Sequence, residues 1–351
     1  MAKSGSNLTA VLDGANDLRM IDAPIPEPKY GEVQLKLLNC GICGTDVHIW
    51  KHGGFGGMPL TDRIVMGHES SSVITKVGEG VTHLKVGDRV ATEPGGPCFQ
   101  CKKCKAGRYN LCPVMQVIIP KYCGNLTRYA IHGADLCFKL PDNISDEEGA
   151  IIEPLAVTVY ACKRANIGMG DTVLICGSGS IGLLCLVTVL ARGATTVLVT
   201  DIADEKLKVA KQAGATYTLN VRGMSPKEAA AAIEDVLGGP ADVSMECTGV
   251  PSCVSTAIYA TTRGGNVTMV GMGDLVQEVP LGTAAMKEVD IRGILRYCHD
   301  DFSTAVSLVA SGKVNVKPLI THRFPLEKTL EALQTTASGV AVKVMVRCAE
   351  N

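Results

Sequence analysis

Cys98, Cys101, Cys104 and Cys112 lie within fifteen residues, spaced C-x2-C-x2-C-x7-C. Four thiolates at such spacing make a closed tetrahedral zinc site, which holds a loop and leaves no position for substrate. Lys102, Lys103, Lys105 and Arg108 lie among them and would offset their charge. Four free thiols or an iron–sulfur cluster are the competing readings. Nothing nearby suggests electron transfer, so a structural zinc is expected. A second set is scattered. Cys43 sits in Gly41-Ile42-Cys43-Gly44-Thr45-Asp46-Val47-His48, His68 and Glu69 follow Gly67, and Glu153 precedes Pro154. Thiolate, imidazole and carboxylate are the ligands of a catalytic zinc with one open position. Spacing alone leaves that reading open, because a lone histidine or cysteine is usually structural. His52, His83, His132, His299 and His322 are read as structural, and the remaining cysteines as small buried hydrophobes.

A third motif is Gly177-Ser178-Gly179-Ser180-Ile181-Gly182. It follows the apolar run Val173–Cys176 and opens a helical stretch from Ile181. The first glycine permits a tight turn, the second lets backbone approach a pyrophosphate, and the third lets helix and strand pack closely. Asp201 ends the next apolar run, 19 residues after Gly182. A carboxylate there accepts hydrogen bonds from the adenosine ribose and repels a 2′-phosphate, so NAD is expected over NADP. Lys206 is a further candidate ribose contact.

These groups need elements to carry them. Residues 1–150 show short alternating segments, such as Val33–Leu37, Val73–Val77 and Arg89–Ala91, separated by turn signals. This is an all-β pattern. Near residue 155 it gives way to strands alternating with helices, which means βαβ units and a parallel sheet. Strands are expected at Val173–Cys176, Thr196–Thr200, Tyr217–Asn220, Ala241–Glu246, Asn266–Val270 and Asp290–Arg292. Helices are expected at Ile181–Arg192, Glu205–Ala213 and Pro226–Leu237. The tail carries a helix after Asp300, another around Leu326–Thr335, and a final β run.

The 351 residues predict about two domains. Against 35 acidic residues stand 34 Lys and Arg, a net charge of −1, which argues against a nucleic-acid binder. Hydrophobic residues make up 46% of the chain, which excludes disorder. Thr172–Ala191 is uncharged, but its central glycines and serines argue against a membrane span. Fifteen cysteines without a secretory h-region suggest a reducing compartment, the cytoplasm.

Taken in order, the Cys-Gly-Thr-Asp-Val-His segment, Gly67-His68-Glu69, the four-cysteine lobe, Glu153-Pro154-Leu155 and the dinucleotide fingerprint resemble the zinc-dependent medium-chain alcohol dehydrogenases. The likeness covers essentially the whole chain. Glu69, Gly124-Asn125-Leu126, Asp142-Asn143-Ile144-Ser145 and Leu295-Arg296-Tyr297-Cys298 resemble the polyol (sorbitol) dehydrogenase branch. The resemblance implies an α/β chain: a GroES-like β catalytic domain, 1–157 plus 297–351, with a Rossmann domain, 158–296, inserted. It implies that Cys43, His68 and Glu69 bind the catalytic zinc, with Glu153 holding its water or approaching the metal. Asp46 would orient His68, and Thr45 and His48 would relay the alcohol proton. Arg296 and Tyr297 match polyol-contacting positions. Ile181, Val270-Gly271-Met272 and Ile294-Leu295-Arg296 match segments that line NAD.

The implied activity is oxidation of a sorbitol- or xylitol-like polyol to its ketose by a zinc Lewis acid and a hydride-accepting NAD. The alternatives are another secondary alcohol (arabinitol, a butanediol or L-threonine), or a catalytically idle NAD-binding relative. Four positions or segments depart from the branch. Ile49 stands at a substrate-contacting position usually held by tyrosine, and the segment 114–123 differs in composition and length. Ser72 replaces a glycine and Ser180 a proline. A homotetramer or dimer, joined edge to edge near Val279–Arg292, is also implied.

Overall fold

A computed structural model describes residues 7–55, 58–115 and 124–350. Residues 116–123 of the divergent segment 114–123 therefore lie outside the described residues. The chain divides into two compact units. The first holds Met1–Glu153, Cys298–Ala310 and Ile320–Asn351, and the second holds Pro154–Tyr297 and Ser311–Leu319. The divisions fall a few residues from the expected 157/158 and 296/297. The stretch Ser311–Leu319, expected with the tail, groups with the second unit.

The first unit is built on a seven-stranded sheet. Its long strand Glu32–Ile42 pairs antiparallel with Glu69–Val77, Tyr129–Gly133 and the chain's last strand, Lys343–Arg347. Alternation puts Val33, Leu35 and Leu37 into a core with Ile74, Val90, Leu126, Val344 and Val346. Each such side chain contributes about 1.5–3 kcal/mol of burial. A three-stranded sheet, Leu18–Ala23, Asn7–Leu12 and Ile64–Val65, accompanies it.

The second unit is a six-stranded parallel sheet. Its order is Tyr217–Asn220, Thr196–Asp201, Thr172–Cys176, Ala241–Glu246, Thr261–Met269, Asp290–Gly293. Numbered along the chain, that is the doubly wound order 3-2-1-4-5-6, the arrangement that binds dinucleotides where the strand order reverses. Val173, Leu174 and Ile175 are fully buried, as a central strand covered on both faces requires. Their unit has its own core, with Leu198, Ile233, Ile258 and Val267.

Several helices escaped the sequence reading. Gly44–His52 lies inside the stretch read as all β, and its cap is Cys43 with Asp46 at the third position. Asp146–Ala165 is helical although Pro154 stands within it. The available signal was Ser145 and Glu148, a reciprocal cap of the kind that starts helices. Glu153 therefore sits inside a helix, as the last residue before the second unit begins at Pro154. Lys102–Lys105, Pro251–Ala260 and Leu281–Lys287 are others among the described residues. Among the described residues, no helix is long and apolar enough to cross a membrane.

Candidate metal centre and coenzyme site

Cys43 reaches its place by capping a helix. Its Sγ accepts from the Thr45 backbone N–H at 3.4 Å, at the N-terminus of that helix. Asp46, on the same helix and 2% exposed, ties the neighbourhood together. Its Oδ2 accepts from the Cys43 N–H at 2.9 Å and its Oδ1 from the Gly67 N–H at 3.3 Å. The same Oδ1 stands 3.4 Å from His68 Nδ1, the ring it was expected to orient. Glu69 begins the strand Glu69–Val77, opposite Gly41.

The donor atoms of Cys43, His68 and Glu69 all lie within 4.8 Å of one another. Burial opposes charge on His68, but Asp46 and Cys43 outweigh it and hold its pKa well above the ordinary value. Burial also opposes ionisation of Asp46, yet His68, the Cys43 N–H and Lys343 keep its pKa low. A thiol, an imidazole and a carboxylate, gathered in an excess of negative charge, fit a zinc ion. Glu153, expected to hold the metal's water or to approach the metal, is not one of these three donors. It is 7% exposed, and its charge reaches the site through Lys343. Sequence reasoning missed Lys343, whose ammonium pairs with Glu69 Oε2. The available signal was one lysine inside the apolar run Val340–Val346.

Thr45 is half-buried and His48 exposed, its ring 4.6 Å from that of His52. Ile49 stands at the position expected to touch substrate. It is 4% exposed and packs in the first unit's core, since it faces inward from the helix beside Trp50.

The four lobe cysteines form a second cluster. Sγ–Sγ distances are 3.6 Å for Cys101–Cys104 and Cys98–Cys112, and 3.9 Å for Cys98–Cys104. A tetrahedron with zinc–sulfur bonds of about 2.3 Å has an edge of about 3.8 Å. The backbone N–H groups of Cys98, Cys101 and Cys104 also point at cluster sulfurs. Those of Gln100 and Cys101 pull the Cys98 thiol down to about 6. The lobe fits a closed zinc site, and no described cysteine is in a disulfide.

In the second unit, Gly177 adopts φ +99°, and a Cβ on Gly182 would overlap the Gly177 carbonyl. Asp201 is clamped rather than loose. Its Oδ2 accepts from Ser178 N at 2.7 Å and Ser178 Oγ at 2.8 Å, its Oδ1 from Ile202 N at 2.7 Å and Ala203 N at 3.0 Å. Ser178 is a partner that sequence reasoning passed over. Lys206 is half-buried on the helix Asp204–Gln212. Val270 and Gly271 donate their N–H groups to the Glu246 carbonyl, each at 2.8 Å, while Met272 is exposed. Ile294 and Leu295 are half-buried. Arg296 stands over the Tyr297 ring at 5.6 Å and donates to its hydroxyl at 3.4 Å.

A family model for the alcohol dehydrogenase GroES-like domain matches residues 29–142, and one for the zinc-binding dehydrogenase matches residues 180–311. The sorbitol dehydrogenase of Gallus gallus is 49% identical over 349 residues, covering 99% of this chain and 98% of that protein. The chain belongs to the zinc-binding alcohol dehydrogenases. Solved structures of the family share this dehydrogenase's fold. L-idonate 5-dehydrogenase from Escherichia coli has a TM-score of 0.89 at 29% identity, with 98% of each chain covered. A zinc-binding dehydrogenase from Sinorhizobium meliloti, bound to NADP, has a TM-score of 0.88 at 28% identity, with 98% of this chain and 100% of that one covered. Zinc and a nicotinamide cofactor are the groups this dehydrogenase has to accommodate.

Proposed function

We propose that this dehydrogenase oxidises a sorbitol- or xylitol-like polyol to its ketose with NAD+. One observation carries the reading: Cys43, His68 and Glu69 converge as a three-donor set that leaves a coordination position open. The likeness to sorbitol dehydrogenase supports the choice of substrate class. Cys43, His68 and Glu69 would hold the catalytic zinc, and Cys98, Cys101, Cys104 and Cys112 a structural one. When bound, the catalytic zinc supplies a Lewis acid for the substrate hydroxyl, and NAD+ supplies the hydride acceptor.

This chain's own residues do the rest. Asp46 orients His68 and anchors Cys43. Thr45 takes the alcohol proton and passes it towards exposed His48. Glu153 holds a water near the metal. Arg296 and Tyr297 bind polyol hydroxyls, which a pocket for a many-hydroxyl substrate requires. Gly177, Gly179 and Gly182 let backbone approach the pyrophosphate, and Asp201, with Lys206 beyond it, receives the ribose. Ile181, Val270, Gly271, Met272, Ile294 and Leu295 line the cofactor.

The first unit is read as the catalytic domain and the second as the coenzyme domain. The chain is also read as a homo-oligomer joined along the edge strand Asp290–Gly293, where Ile291 is exposed and Leu275, Val276, Leu281 and Met286 are more so. The reduced cysteines favour the cytoplasm.

The test is NADH formation by zinc-loaded protein with D-sorbitol, xylitol, other polyols, 2,3-butanediol and L-threonine, beside NADP+ and a Cys43→Ala control. Polyol turnover with NAD+, abolished in the control, is expected. Turnover of only a non-polyol alcohol would keep the metal chemistry and replace the substrate. Silence on every alcohol, with NAD bound, would leave an idle relative.

A further inference from the structure

Lys343 has no role in the reading so far, and its surroundings are unusual. It begins the last strand, 301 residues from Ile42, yet its Nζ donates to the Ile42 carbonyl at 3.2 Å. The same ammonium forms an ion pair with Glu69 Oε2, with side chains 3% and 1% exposed. Three neighbouring strands create the arrangement. Val344 pairs with Ile42, and Gly41 pairs with Glu69, so Lys343 and Glu69 converge over the one residue without a side chain. A Cβ at position 41 would collide with the Glu69 carboxylate and press on Lys343 Cε.

A buried ion pair is weak evidence for stability. Apolar residues of similar size often replace one without loss, because desolvating two charges offsets their attraction. Lys343 sits in a run of valines, where an apolar residue would pack readily. Its presence therefore calls for a reason at the site. A glutamate side chain has three rotatable bonds, and a metal ligand must be held in one orientation before the ion arrives. Buried hydrogen-bonding partners of ligands do this elsewhere, and their loss typically costs about 10–100-fold in metal affinity.

We propose that Lys343 is a positioning residue for Glu69: it holds one carboxylate oxygen so that the carboxylate joins Cys43 and His68 as a single-oxygen ligand. The proposal rests on the reading of Cys43, His68 and Glu69 as the catalytic metal set.

The experiment compares the full-length protein with Lys343→Met, Lys343→Arg and Cys43→Ala. Zinc affinity is measured by competition with a chromophoric chelator. Cobalt is then substituted, and its visible bands report coordination. Circular dichroism checks the fold. Lys343→Met is expected to stay folded and lose roughly 10–100-fold in affinity for one of two metal sites, with altered cobalt bands. Lys343→Arg, which keeps charge and donors, is expected to recover most of that loss. A merely structural lysine would not move the cobalt bands. Should Lys343→Met not fold, Lys343→Gln, which keeps a donor without the charge, is read the same way. A folded variant with affinity and bands like those of the parent overturns the proposal, as does tighter metal binding. If Cys43→Ala keeps both metals, the metal set itself is wrong and the proposal falls with it.

Discussion

Gly41 and Glu69 face each other across the pairing of Glu32–Ile42 with Glu69–Val77, and the carboxylate fills the volume a Cβ at residue 41 would take. Gly41→Ala must therefore push Glu69 or the Lys343 stem aside. The expected outcome is a folded protein whose zinc content drops from about two ions per chain towards about one, with activity at least about tenfold lower. Metal analysis beside circular dichroism checks this. Full zinc and full activity would mean that Glu69 is not a ligand.

The four-cysteine lobe has a different job, so its loss has a different signature. Cys101→Ser should release one zinc and lower the melting temperature by roughly 5 °C, because binding free energy at a structural site is folding free energy. The Cys43 site should still take up metal. Zinc counts and calorimetry on Cys101→Ser and Cys43→Ala separate the two, since only the first should melt earlier by that margin.

Asp201 is held by Ser178, Ile202 and Ala203, so its carboxylate keeps its position whichever dinucleotide arrives. Hydrogen bonds to a charged group contribute about 1.5–3 kcal/mol. Asp201→Ala should weaken NAD binding by roughly tenfold or more and improve NADP by removing a repelling charge. Titrating both cofactors calorimetrically tests this. An unchanged preference would remove Asp201 from the ribose site.

His132 links stability to acid. It is 1% exposed, its Nε2 lies 3.1 Å from the Glu93 carbonyl, and burial pushes its pKa from 6.5 down to about 4. A neutral ring donates to that carbonyl. The unfolded chain takes up the proton near pH 6.5 and the folded one only near 4, so stability is lost as pH falls through that window. The full effect is about 3 kcal/mol. Urea unfolding at pH 7 and pH 5 should show a smaller difference in His132→Gln than in the parent. Equal differences would mean that His132 takes up its proton as readily in the fold as in the unfolded chain.

Much of the site was legible because its chemistry is written locally. The C-x2-C-x2-C-x7-C lobe closes on itself over fifteen residues, and the glycine fingerprint is one strand–turn–helix. Cys43 and Asp46 share one helix turn, although that helix was missed because a cysteine caps it. The helix Asp146–Ala165 was missed because Pro154 disguised it.

The sequence by itself determined the donor chemistry, the dinucleotide cradle and the alternation of strands and helices, all of which depend on residues a few positions apart. Only the tertiary structure decided that the donor atoms of Cys43, His68 and Glu69 meet, that Ile49 faces the core, and that Lys343 meets Glu69. Those outcomes depend on sheet register and helix packing between segments up to 301 residues apart. A one-residue shift in register would turn each side chain to the other face, and spacing along the chain carries no record of which register wins.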